Sequence, residues 1–239
     1  MSRLKIGLGF VFCWAFTNAF SQQNFFNVPS LDISGPKKIF VQEQLNINQV
    51  IQSNLTFDIG LGKGFQIGFN ALGIDFYDSK RHFSTNQPGD LDIYEPLFLL
   101  NGQKTFHVND ELNIGLGSNQ GANVDVATKQ IRFASFNYLN FGGDYLNKNV
   151  KFVFGLYYGN KEYFEKADKF GAMVGMDINL LKNKLHLVGD WISGDTPASV
   201  GVLGLMYYVH KKIPFSLGWQ FPNVRSNSSA VVFEFTFIQ

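Results

Sequence analysis

Cysteine is all but missing from this chain. The single one, Cys13, lies near its start, and the flanking Phe12 and Trp14 do not make a lipoprotein cleavage box. The rest of the chain therefore needs no disulfide, whatever compartment it occupies. Charge is sparse as well. Acidic and basic residues make up 16% of the sequence, against about 25% in ordinary soluble domains. Lys and Arg total 20 against 19 Asp and Glu. That balance leaves no basic footprint for nucleic acid, which is excluded as a partner. Long apolar runs are missing too. None reaches the roughly 18 residues that a membrane-spanning helix requires. The chain has 4 scattered histidines and no G-x-S-x-G, H-E-x-x-H or phosphate-loop motif. No catalytic residue, metal site or cofactor is assigned on this basis.

Phenylalanine and glycine, by contrast, are plentiful, at 26 and 24 residues, with aromatics at 16% of the chain. Mean hydropathy is nonetheless close to neutral. A helical membrane bundle would be far more apolar. Strands that are half lipid-facing and half polar fit this combination.

The opening stretch, "MSRLKIGLGFVFCWAFTNAFSQQ", has Arg3 and Lys5 before a short apolar run from Ile6 to Phe16. Ala19 and Ser21 supply the small residues that signal peptidase needs, so residues 1–21 are expected to be a cleaved signal peptide directing export. Residues 22–36, "QQNFFNVPSLDISGP", are expected to form a periplasmic N-terminal segment, either a tail or a plug folded into the interior. Residues 37–239 then repeat one pattern: an alternating segment of about ten residues followed by turn residues. In "SNLTFDIGLG", Leu55, Phe57, Ile59 and Leu61 alternate with Asn54, Thr56, Asp58 and Gly60. In "KFVFGLYY", Phe152, Phe154, Leu156 and Tyr158 alternate with Lys151, Val153, Gly155 and Tyr157.

About twelve such strands are predicted, starting near Ile39, Ser53, Gly64, Asp92, Glu111, Thr128, Val150, Asp168, Lys184, Ala198, Ile213 and Ser229. The even-numbered connections are tight: "GKG", "VND", "LNKN", "LKNK" and "HKKI". Most odd ones are longer, such as "YDSKRHFSTNQPGD" and "GNKEYFEKAD". Short turns on one rim and longer loops on the other are the rule for membrane barrels. The fold class read from this is all-β: a transmembrane antiparallel up-and-down barrel. A soluble sandwich fits less well. The polar faces hold Gly, Asn and Ser rather than Lys and Glu, and Tyr158, Trp191, Tyr207 and Trp219 lie near strand ends, as in an interfacial aromatic girdle.

Three places strain the pattern. Glu43 shares a face with Val41, Leu45 and Ile47, Pro96 interrupts an apolar segment, and the phase shifts near Ala71 and Leu72, which predicts a bulge. The last strand, "VVFEFTFIQ", alternates Phe233, Phe235 and Phe237 with Glu234 and Thr236. With the leader and the alternating strands, it resembles the closing strand of Gram-negative outer-membrane β-barrel proteins of the small porin or channel kind. The resemblance implies an outer-membrane location, contact with outer-membrane lipid, and recognition of Phe233, Phe235 and Phe237 by the barrel assembly machinery. Such signals usually end on the aromatic; here Ile238 and Gln239 follow.

Inside such a barrel the pore-lining candidates are Asp58, Arg132, Lys151, Asp177, His186, Asp190 and Glu234. A symmetric hairpin puts Lys151 opposite Asp177, as a salt bridge or as a charged constriction for solutes. His186 and Asp190 lie four apart on one strand, about 13 Å, too far for a catalytic pair. Asp75, Asp78, His82, Asp90 and Asp92 gather around the longest loop, but spacing alone does not make their oxygens converge on a metal. The reading is a passive channel for small polar solutes. The alternative is a structural or surface-interaction barrel with a blocked lumen.

Overall fold

The structure, a computed structural model, describes residues 25–78, 95–126, 128–164, 167, 169–182, 184–224 and 228–239. The leader (1–21), and His82, Asp90 and Asp92, lie outside the described residues.

Twelve strands run in chain order: β1 (Ile39–Ile47), β2 (Val50–Gly62), β3 (Phe65–Asp78), β4 (Leu97–His107), β5 (Asn113–Asp125) and β6 (Gln130–Tyr145). They continue with β7 (Val150–Gly159), β8 (Lys169–Leu181), β9 (Leu185–Ile192), β10 (Val200–His210), β11 (Ile213–Pro222) and β12 (Ala230–Ile238). One helical turn, α1 (Lys161–Phe164), sits between β7 and β8. Every strand pairs with its sequence neighbours, and β1 pairs with β12, so the sheet closes into an antiparallel up-and-down barrel. Closure removes both edges, whose unpaired amides would be costly in hydrocarbon. Most strands reach the 9–11 residues, roughly, that a tilted strand needs to cross a bilayer.

Period-two alternation decides which side chains face out. Phe57, Leu100, Phe154, Leu205 and Trp219 are exposed on the outer surface. In water such a band would be a liability; in lipid it is the solvation layer of a membrane barrel. The closing seam obeys the same rule. Leu45, Glu43 and Val41 register with Phe233, Phe235 and Phe237. Phe233 and Phe235 face outward, while Glu234 and Thr236 are each 1% exposed in the interior.

The three strained places resolve individually. Glu43 does face outward, mid-strand among apolar residues, and accepts a hydrogen bond from the Ser53 hydroxyl of β2. Pro96 sits just before β4, where its missing N–H takes nothing from the ladder. The phase change in β3 is a bulge: Leu55 pairs with Ala71 and Ser53 with Ile74, so two steps on β2 match three on β3. Gly73 takes a positive φ of 71° there, and its N–H donates to Asn54 Oδ1 at 2.8 Å. Glycine is the residue that accepts this backbone at no steric cost.

The barrel is not hollow throughout. Phe25, Phe26, Val28 and Leu31 are buried inside it, against inward-facing Val153, Met173, Val188 and Val202. The segment 25–36, here termed the strap, enters the lumen before the chain turns at Lys37 and Lys38 into β1. Glycines clear its path. A Cβ on Gly175 would lie 2.2 Å from the Phe25 ring, and one on Gly60 would lie 2.1 Å from the Ser34 carbonyl oxygen.

Candidate functional site

The strap is held by polar contacts along its length. Asp190 of β9 points into the lumen, and its Oδ2 accepts the backbone N–H of Phe26 at 2.9 Å and of Val28 at 2.8 Å. The N–H of Asn27 donates to the same oxygen. Three amides converging on one carboxylate oxygen make a strong, charge-assisted anchor. Further along, Asn140 Nδ2 donates to the Pro29 carbonyl at 2.7 Å and Gln103 Nε2 to the Ser30 carbonyl at 2.9 Å. Lys151 forms an ion pair with Asp32, and the Ser34 N–H donates to Gln66 Oε1 at 3.3 Å.

This arrangement redistributes the interior charges. Lys151 and Asp177 are register partners across β7 and β8, as the hairpin symmetry predicts. Yet the ion pair of Lys151 runs to Asp32 of the strap, and Asp177 Oδ1 lies 2.7 Å from His186 Nδ1. The strap supplies a carboxylate at the amine itself, and the β8–β9 hairpin supplies an imidazole to Asp177. Sequence reading weighed His186 only against Asp190 on its own strand. The signal for Asp177 was present, because the tight β8–β9 turn pairs Asn179 with His186 and leaves Asp177 diagonal to it.

Glu234 is fully buried and accepts from the Ser216 hydroxyl at 3.1 Å. Arg132 stands near the opposite rim. Its guanidinium lies 3.1 Å from Asp125, 3.5 Å from Glu95 and 3.8 Å from Glu162 of α1. It thereby ties the helical turn to the barrel wall. Asp58 of β2 is bonded by Asn101 and is 3% exposed. Asp75 accepts from Gln52 Nε2 at 3.3 Å. No group of three or more metal-ligating side chains forms among the described residues.

A cavity of about 300 Å³ lies beside the strap. It runs down the β1–β5 wall from Asn46, Gln52 and Glu95 near the loop rim to Gln66 and Gln103, where the strap closes beneath it. Asparagine and glutamine are its commonest lining residues. Of the seven pore-lining candidates, Asp58 alone borders it. Phe136 and Tyr138 of β6 with Tyr163 and Phe164 of α1 add an aromatic part to the lining, and Ile192, Ala198, Val200 and Gln220 border it from β9–β11 and the β9–β10 loop. The Phe136 and Tyr163 rings stack at 4.7 Å with 16° between their planes. Burial pushes the Tyr163 hydroxyl up to about 12, against the opposing hydrogen bond with Asn119, so it stays protonated. Sequence alternation marks the amides as inward-facing; it does not show that they share one cavity with α1.

No protein-family model and no curated protein sequence matches the chain. Solved structures do. The KdgM porin, in complex with disordered oligogalacturonate, superposes with a TM-score of 0.55 at 8% identity, covering 83% of this chain and 98% of that one. The NanC porin gives 0.48 at 10% identity, over 83% and 97%. LpxR from Salmonella typhimurium gives 0.44 at 10% identity, over 83% and 99%. At such identities the KdgM likeness establishes the fold alone: this chain is a closed twelve-stranded barrel of the outer-membrane porin type.

Proposed function

We propose that the chain is a porin-like channel of the outer membrane, passing small polar solutes by diffusion, with the strap setting the width of the path. The observation that carries this reading is the amide-lined cavity inside a closed, lipid-belted barrel. Carboxamides hold water and polar solutes by exchangeable hydrogen bonds and impose no strong charge barrier. In this reading the rim with the short turns faces the periplasm, a cleaved leader delivers the chain there, and the barrel assembly machinery reads Phe233, Phe235 and Phe237. The chain acts as a conduit and not as a catalyst.

Planar-bilayer recording of the purified protein tests it. Steady current from the full chain supports an open path past the strap. A second reading is favoured by the anchors on the strap: a lumen blocked at rest. Current that appears only when residues 25–36 are deleted selects that reading. Absence of current from both proteins sinks the channel.

A further inference from the structure

We infer that the cavity along the β1–β5 wall is a binding site for a neutral saccharide of one or two rings. The inference rests on the channel reading, because it takes the cavity to be reached from the loop rim.

The chemistry of the lining carries it. A carboxamide offers two N–H donors and a carbonyl acceptor on one rigid plane, and each sugar hydroxyl both donates and accepts. Gln44, Asn54 and Asn70, on three successive strands, present such groups to one space. Asn101, on the next strand, continues that wall and donates to Asn70 Oδ1 at 2.9 Å. The same cavity is also lined by aromatic rings. Phe136 and Phe164 are buried supports at 4% and 1% exposure. Tyr163, stacked on Phe136, remains partly exposed and lines the cavity. A pyranose has hydroxyls around its edge and C–H groups on its faces. A cavity lined by both amides and an aromatic ring matches both.

Charge excludes the acidic sugars. No lysine, arginine or histidine lines the cavity among the described residues, so nothing offers the paired donors that a carboxylate or sulfate ester needs. Its carboxylates are Asp58 and Glu95, the latter paired with Arg132 at 3.5 Å. A uronate would meet these carboxylates without compensation. The volume lies at the low end of the roughly 300–1,000 Å³ of small-molecule sites, which fits a short saccharide.

The test is equilibrium binding by calorimetry on the full chain in a zwitterionic detergent with no sugar headgroup. The probes are glucose, galactose, maltose, lactose and cellobiose, with galacturonate as the charged control. At least one neutral sugar should saturate the protein, about tenfold or more tighter than galacturonate. Tyr163→Ala should weaken that binding about tenfold, and Asn101→Ala by several-fold. Heat-modifiable gel mobility checks that each variant is folded; should one fail to fold, the other decides. Saturation by no neutral sugar, or binding unchanged in a folded Tyr163→Ala or Asn101→Ala protein, overturns the site. Binding without current from either the full chain or the protein lacking residues 25–36 keeps the site and sinks the channel. Current without neutral-sugar binding does the reverse.

Discussion

On β1, β2, β3 and β5 the inward positions include the amides Gln42, Gln44, Asn54, Asn70 and Asn119, whereas on β7–β12 the apolar Val153, Met173, Val188, Val202 and Val232 alternate with the charged anchors Asp177, Asp190 and Glu234. Both sets obey the same alternation and face the same lumen. They differ in what covers them. The first set borders the cavity, and the second is buried under Phe25, Phe26, Val28 and Leu31 of the strap. A barrel interior is therefore not one solvent environment. An apolar inward row marks where the chain packs on itself, and an amide row marks where water and solute have room.

The comparison can be broken most severely by deleting residues 25–36. The apolar row loses its cover, at a cost on the order of 5 kcal/mol for four large side chains. Conductance should rise at least several-fold, and the temperature of the heat-modifiable gel shift should fall markedly. A deletion protein with unchanged current and melting would show that the strap neither blocks nor braces the lumen.

Asp190→Ala comes next, because it leaves three backbone amides without their acceptor. The expected loss is about 2–4 kcal/mol, with new open–closed transitions in single-channel traces as the strap detaches. Asp190→Asn keeps one acceptor oxygen and should fall between Ala and the parent. Equal effects of Ala and Asn would mean that charge, and not hydrogen bonding, secures the strap. Lys151→Glu tests the far anchor. It sets two carboxylates against each other at Asp32, so it should free the strap as well as alter ion selectivity. A change of selectivity without any change in conductance would place Lys151 in the solute path instead.

The amide row should respond least to truncation. Gln52→Ala removes an exchangeable hydrogen bond and should move stability by no more than about 1 kcal/mol, while shifting solute preference. Smallest of all is Glu43→Leu on the lipid face. Replacing a carboxyl amid the apolar belt should be neutral or stabilising by about 1 kcal/mol in denaturant titration. A strong destabilisation there would mean that the Glu43–Ser53 hydrogen bond matters to the seam.

Much of the architecture was legible because alternation is a local property. Strand number, the outward Phe233 and Phe235 and the bulge at Gly73 follow from residues a few positions apart, and the β1–β12 closure follows from the cost of leaving two sheet edges open in lipid. Even the inward direction of Val153 was readable, though not its partner. The strap was harder to place. Phe25, Phe26, Val28 and Leu31 carry no periodic pattern, so the same residues suited a tail or a plug. The glycines that clear its path, Gly60 and Gly175, read simply as small inward residues. The partner of Lys151 lies 119 positions away, beyond any spacing argument. The amides were visible as inward, but their meeting with Tyr163 depends on how α1 folds over the rim.

The grip of Asp190 on the strap joins positions separated by 162 to 164 residues, nearly the span of the whole barrel. Such contacts add to the chain's contact order and form only after most of the sheet exists. The strap also runs directly into β1, the strand that must meet β12. Sealing the barrel and trapping the strap are then a single late event on the folding path. Bonds made that late act on escape more than on arrival. Loosening Asp190 should leave the folding rate nearly intact and shorten the lifetime of the finished barrel.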